Sequence, residues 1–237
     1  MCTVTWAQRE EGYELFFNRD EQRTRPPAES PALRLIDGVE VLAPLDPPGG
    51  GSWLGVNRAG LTCGLLNFYD HAADNRVRQP ISRGRLLMSF LAGESLAAVR
   101  TRIEAEVLES YRSFILLALE PGAPARAWTW NGQELVEQPA VPPITTSSFQ
   151  TEAVVESRRA WYRKLTDPLE FHQSHQPEAG PFSVCMHRED AETVSFSHIV
   201  VTSETVTYRY FPVSPCRMRD HEPAVVEAAR HAPGVNV

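Results

Sequence analysis

A chain of 237 residues with 42% hydrophobic and 22% charged side chains can bury a sizeable core, and one globular domain over residues 1–237 is expected. The net charge of −7 argues against nucleic acid or an anionic membrane as a partner, since both select basic surfaces. No apolar run approaches the length of a membrane span. Nothing after Met1 has the charged and apolar regions of a signal peptide, so a cytoplasmic location is expected. In that reducing setting the four cysteines, at 2, 63, 185 and 216 and without C-x-x-C spacing, are expected to be free thiols.

Residues 2–8 alternate, with Cys2, Val4 and Trp6 against Thr3 and Thr5, which predicts a strand. Gly12 marks a turn, and Tyr13 to Asn18 reads as the hairpin partner. Asn18-Arg19-Asp20-Glu21 then breaks the apolar pattern, and a proline-rich loop follows. Two short strands are expected around Asp37-Gly38. The glycines at 49–51 signal a loop, and 52–67 predicts a hairpin turning at Asn57-Arg58-Ala59-Gly60. Residues 82–108 predict two helices separated at Gly93, with Leu96, Val99, Ile103 and Val107 on one face. Strands are expected at 112–119 and 125–137, the second folded at Asn131-Gly132. A helix over 152–165 would carry Val154, Arg158, Trp161 and Leu165 on one face. Strands follow at 182–187, 193–202 and 205–211, and Val225 to Ala232 could form a short helix. The order of strands, helices, strands, helix and strands predicts an α+β fold with antiparallel sheets and helices outside.

Cys2 is the residue with the most chemistry in it. If Met1 is removed, its thiol and a free α-amine share one carbon skeleton, which pairs a soft nucleophile with a base titrating near neutrality. A hairpin of 2–8 with 13–18 would bring Cys2 close to Asn18, Arg19, Asp20 and Glu21. There an arginine would favour the thiolate, and a carboxylate could hold the amine. A solvated charged turn is the plainer reading of those four residues by themselves. Asn67 ends an apolar strand, where its amide could donate to an oxyanion or simply form a turn. The triple glycine lacks the spacing of a phosphate loop. Among the seven histidines only His172 and His175 lie at short spacing, and no third ligand follows at an ordinary interval, so no metal site is expected.

Met1-Cys2, Asn18-Arg19-Asp20-Glu21, Gly50-Gly51-Ser52-Trp53-Leu54-Gly55 and Leu66-Asn67-Phe68 after Asn57-Arg58-Ala59-Gly60 occur in that order. In this the chain resembles the NRDE family, also called the transport-and-Golgi-organisation-2 family, strongly over residues 1–90 and weakly beyond. That family is similar to the choloylglycine hydrolases and penicillin V acylases, which are N-terminal-nucleophile hydrolases. The resemblance implies a four-layer αββα sandwich, Cys2 as nucleophile after loss of Met1, and Asn67 in the oxyanion hole. It also implies an arginine and an aspartate in the Asn18–Glu21 window. The acylases space that pair Arg-x-x-Asp, whereas Arg19 and Asp20 are adjacent. Strand alternation would send adjacent side chains to opposite faces, with Asp20 expected near the amine and Arg19 near the rim, though Asn18 and Glu21 could take their places. An asparagine that contacts the nucleophile's amine in the acylases has no counterpart here, and Ser148 is the nearest match. Arg188 is the candidate for a late active-site arginine.

The implied function is hydrolysis of a linear, non-peptide C–N amide in a small acyl-amide substrate, without a cofactor. Trp6, Trp53 and Phe68 would wall a pocket for an apolar acyl group. The alternative is a carrier or trafficking protein on the same scaffold, since eukaryotic relatives are linked to secretory-pathway organisation and to haem or lipid handling. In that case Cys2 would be a thiolate haem ligand.

Overall fold

The computed structural model describes residues 2–69 and 74–231. Met1, His71 and the end of the expected C-terminal helix at Ala232 lie outside the described residues. Two antiparallel sheets carry the fold. One has the order β10-β1-β2-β11-β12-β13, with β1 (Cys2–Arg9), β2 (Gly12–Gln22), β10 (Ile144–Thr146), β11 (Ala191–Val201), β12 (Thr205–Phe211) and β13 (Ala224–Ala229). The other runs in simple succession from β3 (Glu29–Ile36) and β4 (Val39–Leu45) through β5 (Leu54–Asn57) and β6 (Thr62–Asn67). It ends with β7 (Phe114–Leu119), β8 (Arg126–Trp130) and β9 (Leu135–Pro139).

The alternation of β1 and β2 explains the layering. Cys2, Val4, Trp6, Tyr13, Leu15 and Phe17 point between the sheets and meet Leu54, Val56, Leu66 and Leu117 of the second sheet. The outer face of the second sheet offers Val41, Cys63, Leu65 and Leu116 to α1 (Arg83–Leu91) and α2 (Leu96–Glu104), which answer with Leu87, Phe90, Leu91, Val99 and Ile103. On the first sheet's outer face, α3 (Thr151–Tyr162) packs against β10, and α4 (Pro168–Gln173) packs against β1 and β2. The result is the expected α+β, four-layer αββα sandwich.

Polar side chains lock the layers at defined points. The Asn57 amide, fully buried at the β5–β6 turn, donates to the carbonyls of Leu91 and Gly93 at 3.0 and 2.7 Å, and its oxygen accepts from the Leu61 N–H. One residue thus satisfies the C-terminal end of α1 and the tip of a hairpin together. Gly60 completes that turn with a φ of 88°, the left-handed region that favours glycine.

Two expectations are corrected. Residues 224–229 form strand β13, paired in register with β12 from Thr205↔Ala229 to Tyr210↔Ala224. Val226 and Ala228 pack on the inter-sheet core while Val225 and Glu227 face out, a period of two that suits a strand. A helix of eight residues cannot repay its nucleation cost when an open strand edge lies beside it. Residues 182–187 are not a strand either. The Val184 carbonyl accepts from the Asn18 amide, the Cys185 N–H donates to the Ser174 carbonyl, and Ser183 Oγ reaches the carbonyls of Gly180 and Cys185. Loop bonds of this kind take the place of a ladder.

Candidate active site

Cys2 opens β1 and stands directly across from Arg19 on β2 and Thr146 on β10. Opposed residues of an antiparallel pair share a face, so Arg19 follows Cys2 into the space between the sheets. There its guanidinium lies 4.1 Å over the Trp53 ring, 2.9 Å from Asp46 Oδ1 and 3.5 Å from Glu21 Oε2. Arg25 grips the other oxygen of Asp46 at 2.5 Å. Burial pushes the Asp46 carboxyl up, but Arg25 and Arg19 outweigh it and hold the group below its ordinary value.

Asp20 takes the opposite face, as alternation requires. It meets Arg158 of α3 at 3.9 Å and accepts from Thr193 Oγ1 at 2.6 Å, all three side chains being buried. Burial pushes its carboxyl up against the pull of Arg158. Arg158 also donates to Thr3 Oγ1 and Thr145 Oγ1, both at 3.0 Å, and to the Pro181 carbonyl at 3.2 Å. Although on opposite faces, Arg19 and Asp20 both reach the cavity at the sheet's end, where β2 shifts register against β11 between Thr193 and Ser195.

That cavity, of about 360 Å³, is lined by Cys2, Arg19, Asp20, Glu21, Trp53 and Asn67 among others. It brings together most of the residues marked in the sequence. Asn67 ends β6 with its amide 3.5 Å from the Tyr69 hydroxyl. The Cys2 nitrogen donates to Thr146 Oγ1 at 3.3 Å. Burial pushes the Cys2 thiol up, so the expected lowering by a nearby arginine does not prevail.

Other marked residues stand elsewhere. Asn18 is fully buried beneath the outer helices, donating to the carbonyls of His172 and Val184 and pairing with the His172 ring, so it does not line the cavity. Trp6 belongs to the inter-sheet core, and the half-buried Phe68 lies off the cavity wall. Ser148 is exposed and lines an adjoining hollow with Arg188. The hydroxyl on the Cys2 nitrogen is that of Thr146, because β10 pairs with β1 at that residue. Residues not singled out for the site include Asp46, Arg25, Arg83 and Arg112 on the wall, and Thr193 and Arg158 behind Asp20. Arg158 had left a signal: a guanidinium on an otherwise apolar helix face needs a buried partner.

The family model described as Transport and Golgi organisation 2 matches residues 1–192. Among solved structures, penicillin V acylase from Agrobacterium tumefaciens superposes with a TM-score of 0.54 at 9% identity, over 97% of this chain and 86% of its own. A mutant conjugated bile acid hydrolase from Clostridium perfringens gives 0.57 at 12% identity, over 95% and 92%. A second variant of that hydrolase gives 0.53 at 12% identity, over 99% of both chains. At such identities the likeness is one of fold. No curated protein matches the chain.

Proposed function

Because this chain belongs to the Transport and Golgi organisation 2 family and has the fold of those acylase and hydrolase structures, we propose that it is an N-terminal-nucleophile cysteine hydrolase. It acts in the cytoplasm on a linear, non-peptide C–N amide, with Cys2 as nucleophile once Met1 is removed. The observation that carries the reading is the position of Cys2. It begins an interior strand, it lines the cavity, and its nitrogen faces a hydroxyl acceptor.

The raised thiol titration makes a separate base necessary at neutral pH, and the freed α-amine supplies it. Cys2 Sγ attacks the amide carbonyl as its proton passes to the α-amine, directly or through water. A C–S bond forms and a tetrahedral oxyanion results, for which the Asn67 amide is the donor; one such donor is worth about 3–4 kcal/mol of barrier. Collapse breaks the C–N bond, the amine proton goes to the leaving nitrogen, and a thioester remains on Cys2. Water then attacks the thioester with the α-amine again as base, releasing the carboxylic acid and restoring the thiol. Thr146 Oγ1 orients the α-amine, and Asp20, backed by Arg158 and Thr193, supports its charge.

The cavity wall modifies the substrate expected from the sequence. Among the described residues Trp53 is its one aromatic side chain, and Arg19, Arg25, Arg83 and Arg112 stand around it with Asp20, Glu21 and Asp46. An amide bearing an anionic group suits that wall better than a plain apolar acyl chain. A volume of about 360 Å³ also lies at the small end of the roughly 300–1,000 Å³ of ligand pockets. It favours a small amide over haem.

The test is an intact mass followed by incubation with a panel of N-acyl amino acids. Loss of Met1, turnover of an anionic amide, and an acyl adduct trapped on Cys2 are expected. Retained Met1 in an active protein, or unchanged turnover in Cys2→Ala, would sink the mechanism.

A further inference from the structure

The histidine pair picked out in the sequence is parted by the fold. His172, at the end of α4, turns into the core, where its ring bonds Thr5 Oγ1 at 2.8 Å and Asn18 Oδ1 at 2.9 Å. His175 turns the other way and meets Cys185, His187 and Cys216. One ligand atom from each of these four lies within 4.8 Å of all the others. They come from three segments: the turn after α4, the loop before β11, and the 3-10 helix Pro215–Asp220. The sequence gives no ordinary zinc spacing because the fourth ligand follows the third by almost thirty positions, across β11 and β12.

We propose that His175, Cys185, His187 and Cys216 bind a structural zinc ion. Two imidazoles and two thiolates form one of the usual donor sets for a closed tetrahedral zinc centre. With Zn–S near 2.3 Å and Zn–N near 2.0–2.1 Å, a sulfur and a nitrogen on one tetrahedral zinc lie about 3.6 Å apart. His187 Nε2 stands 3.5 Å from Cys185 Sγ and 3.5 Å from Cys216 Sγ, two edges of such a tetrahedron. Direct contacts among these groups gain little, because a thiol is a weak donor and one ring nitrogen has a single lone pair or a single proton. A Cys185–Cys216 disulfide would use both sulfurs without engaging the Nε2 of His187 that lies between them.

The surroundings supply the outer support that a metal-bound histidine requires. His187 Nδ1 faces Glu192 Oε2 at 3.6 Å, and Glu192 is held through its other oxygen by Arg23 at 2.8 Å. A carboxylate this close to the far ring nitrogen would, once drawn into a hydrogen bond with it, fix tautomer and orientation and leave Nε2 free for the metal. The segments are already stitched together: the Cys185 N–H donates to the Ser174 carbonyl, and the Gln173 amide to the Pro215 carbonyl. On binding, Zn²⁺ takes two thiolates and two neutral imidazoles, two protons leave to solvent, and the centre is neutral. Four protein ligands leave no open position, so the ion clamps rather than catalyses. It clamps something relevant. The Met186 N–H donates to Thr193 Oγ1, which in turn donates to Asp20 beside the cavity.

The experiment is metal analysis of the full chain isolated under reducing conditions, then replacement of zinc by cobalt(II). About one equivalent of zinc is expected, with a cobalt form whose intense visible bands and near-ultraviolet sulfur charge transfer report tetrahedral thiolate ligation. That spectrum needs no variant. Cys216→Ser and His175→Ala, the latter at an exposed position, should each weaken zinc binding at least tenfold, and Glu192→Gln about tenfold. Cys2→Ala should leave zinc content unchanged, which separates this site from the proposed nucleophile. A wild-type protein without the thiolate bands would overturn the proposal. So would bands that survive Cys216→Ser or vanish in Cys2→Ala, or a Cys185–Cys216 disulfide in metal-free protein as isolated.

Discussion

Adjacent residues on a strand cannot both face one way, and Arg19 and Asp20 obey that rule while still serving a single cavity. Arg19 is spent on Asp46 and Trp53 on the inner face. Asp20 is a buried carboxylate on the outer face whose countercharge comes from Arg158 of a helix far along the chain. Removing one member of such a pair strands the other. Arg158→Met is expected to lower stability by about 3 kcal/mol in urea unfolding, and adding Asp20→Asn should recover a good part of it. If the double variant is no more stable than the single one, the charge pairing is not what Arg158 contributes. Cys2, Arg19, Asp20 and Asn67 were legible in the sequence because short motifs marked them. Thr146 was not, since its role depends on which strand pairs beside β1, and pairing over such a separation leaves no local signature.

The glycines before β5 read as a flexible approach to a strand, yet at least one is a close-packing device. A Cβ on Gly51 would collide with the backbone of Gly84 and Arg85 at the start of α1, where the Ser52 N–H donates to the Gly84 carbonyl at 3.2 Å. This contact forms one wall of the cavity. Gly51→Ala is therefore expected to cost about 2 kcal/mol or more by overpacking, and to impair substrate binding beyond its effect on melting temperature. A variant that melts and turns over like the parent would refute this. The same elements mark the reach of periodicity. The β1–β2 hairpin, the β5–β6 turn and the helix pair at Gly93 all announce themselves through local pattern and turn residues. Strand β13 misled because Val225 to Ala232 is short and apolar, and only the open edge of β12 decides its conformation. The loop at 182–187 misled in the same way, its bonds being made by distant side chains such as Asn18.

At the scale of the whole molecule, polar residues sealed between helix and sheet set the response to acid. The Asn18 amide nitrogen donates to two carbonyls, so its oxygen must accept from His172 Nδ1–H, and Nε2 accepts from Thr5. This neutral tautomer is fully used, and burial pushes the ring down to about 3. A histidine unfolded near 6.5 and folded near 3 binds its proton only in the unfolded chain between those values. Its stabilisation is complete above about pH 6.5 and drains away as the pH falls toward 3. The loss is on the order of 5 kcal/mol if no other group intervenes. The Asp46 carboxyl, held below its ordinary value, adds loss in the same direction at the acid end. A melting temperature measured from pH 7 to pH 4 should fall, and less steeply in His172→Gln; equal slopes would remove the histidine from the account. The layer order itself followed from the succession of strands and helices. Which strand lies next to which did not.

The neighbours of β1 and β2 carry a consequence for biosynthesis. This hairpin is synthesised before either strand that flanks it, for it sits in the interior of its sheet, between β10 at 144–146 and β11 at 191–201. Both of its edges therefore stay open until most of the chain has been made, and the long-range pairings that close them are the slow kind. During that interval Cys2 is exposed, while in the finished sheet it is almost entirely enclosed. On the proposed reading, freeing the Cys2 α-amine has to precede that closure.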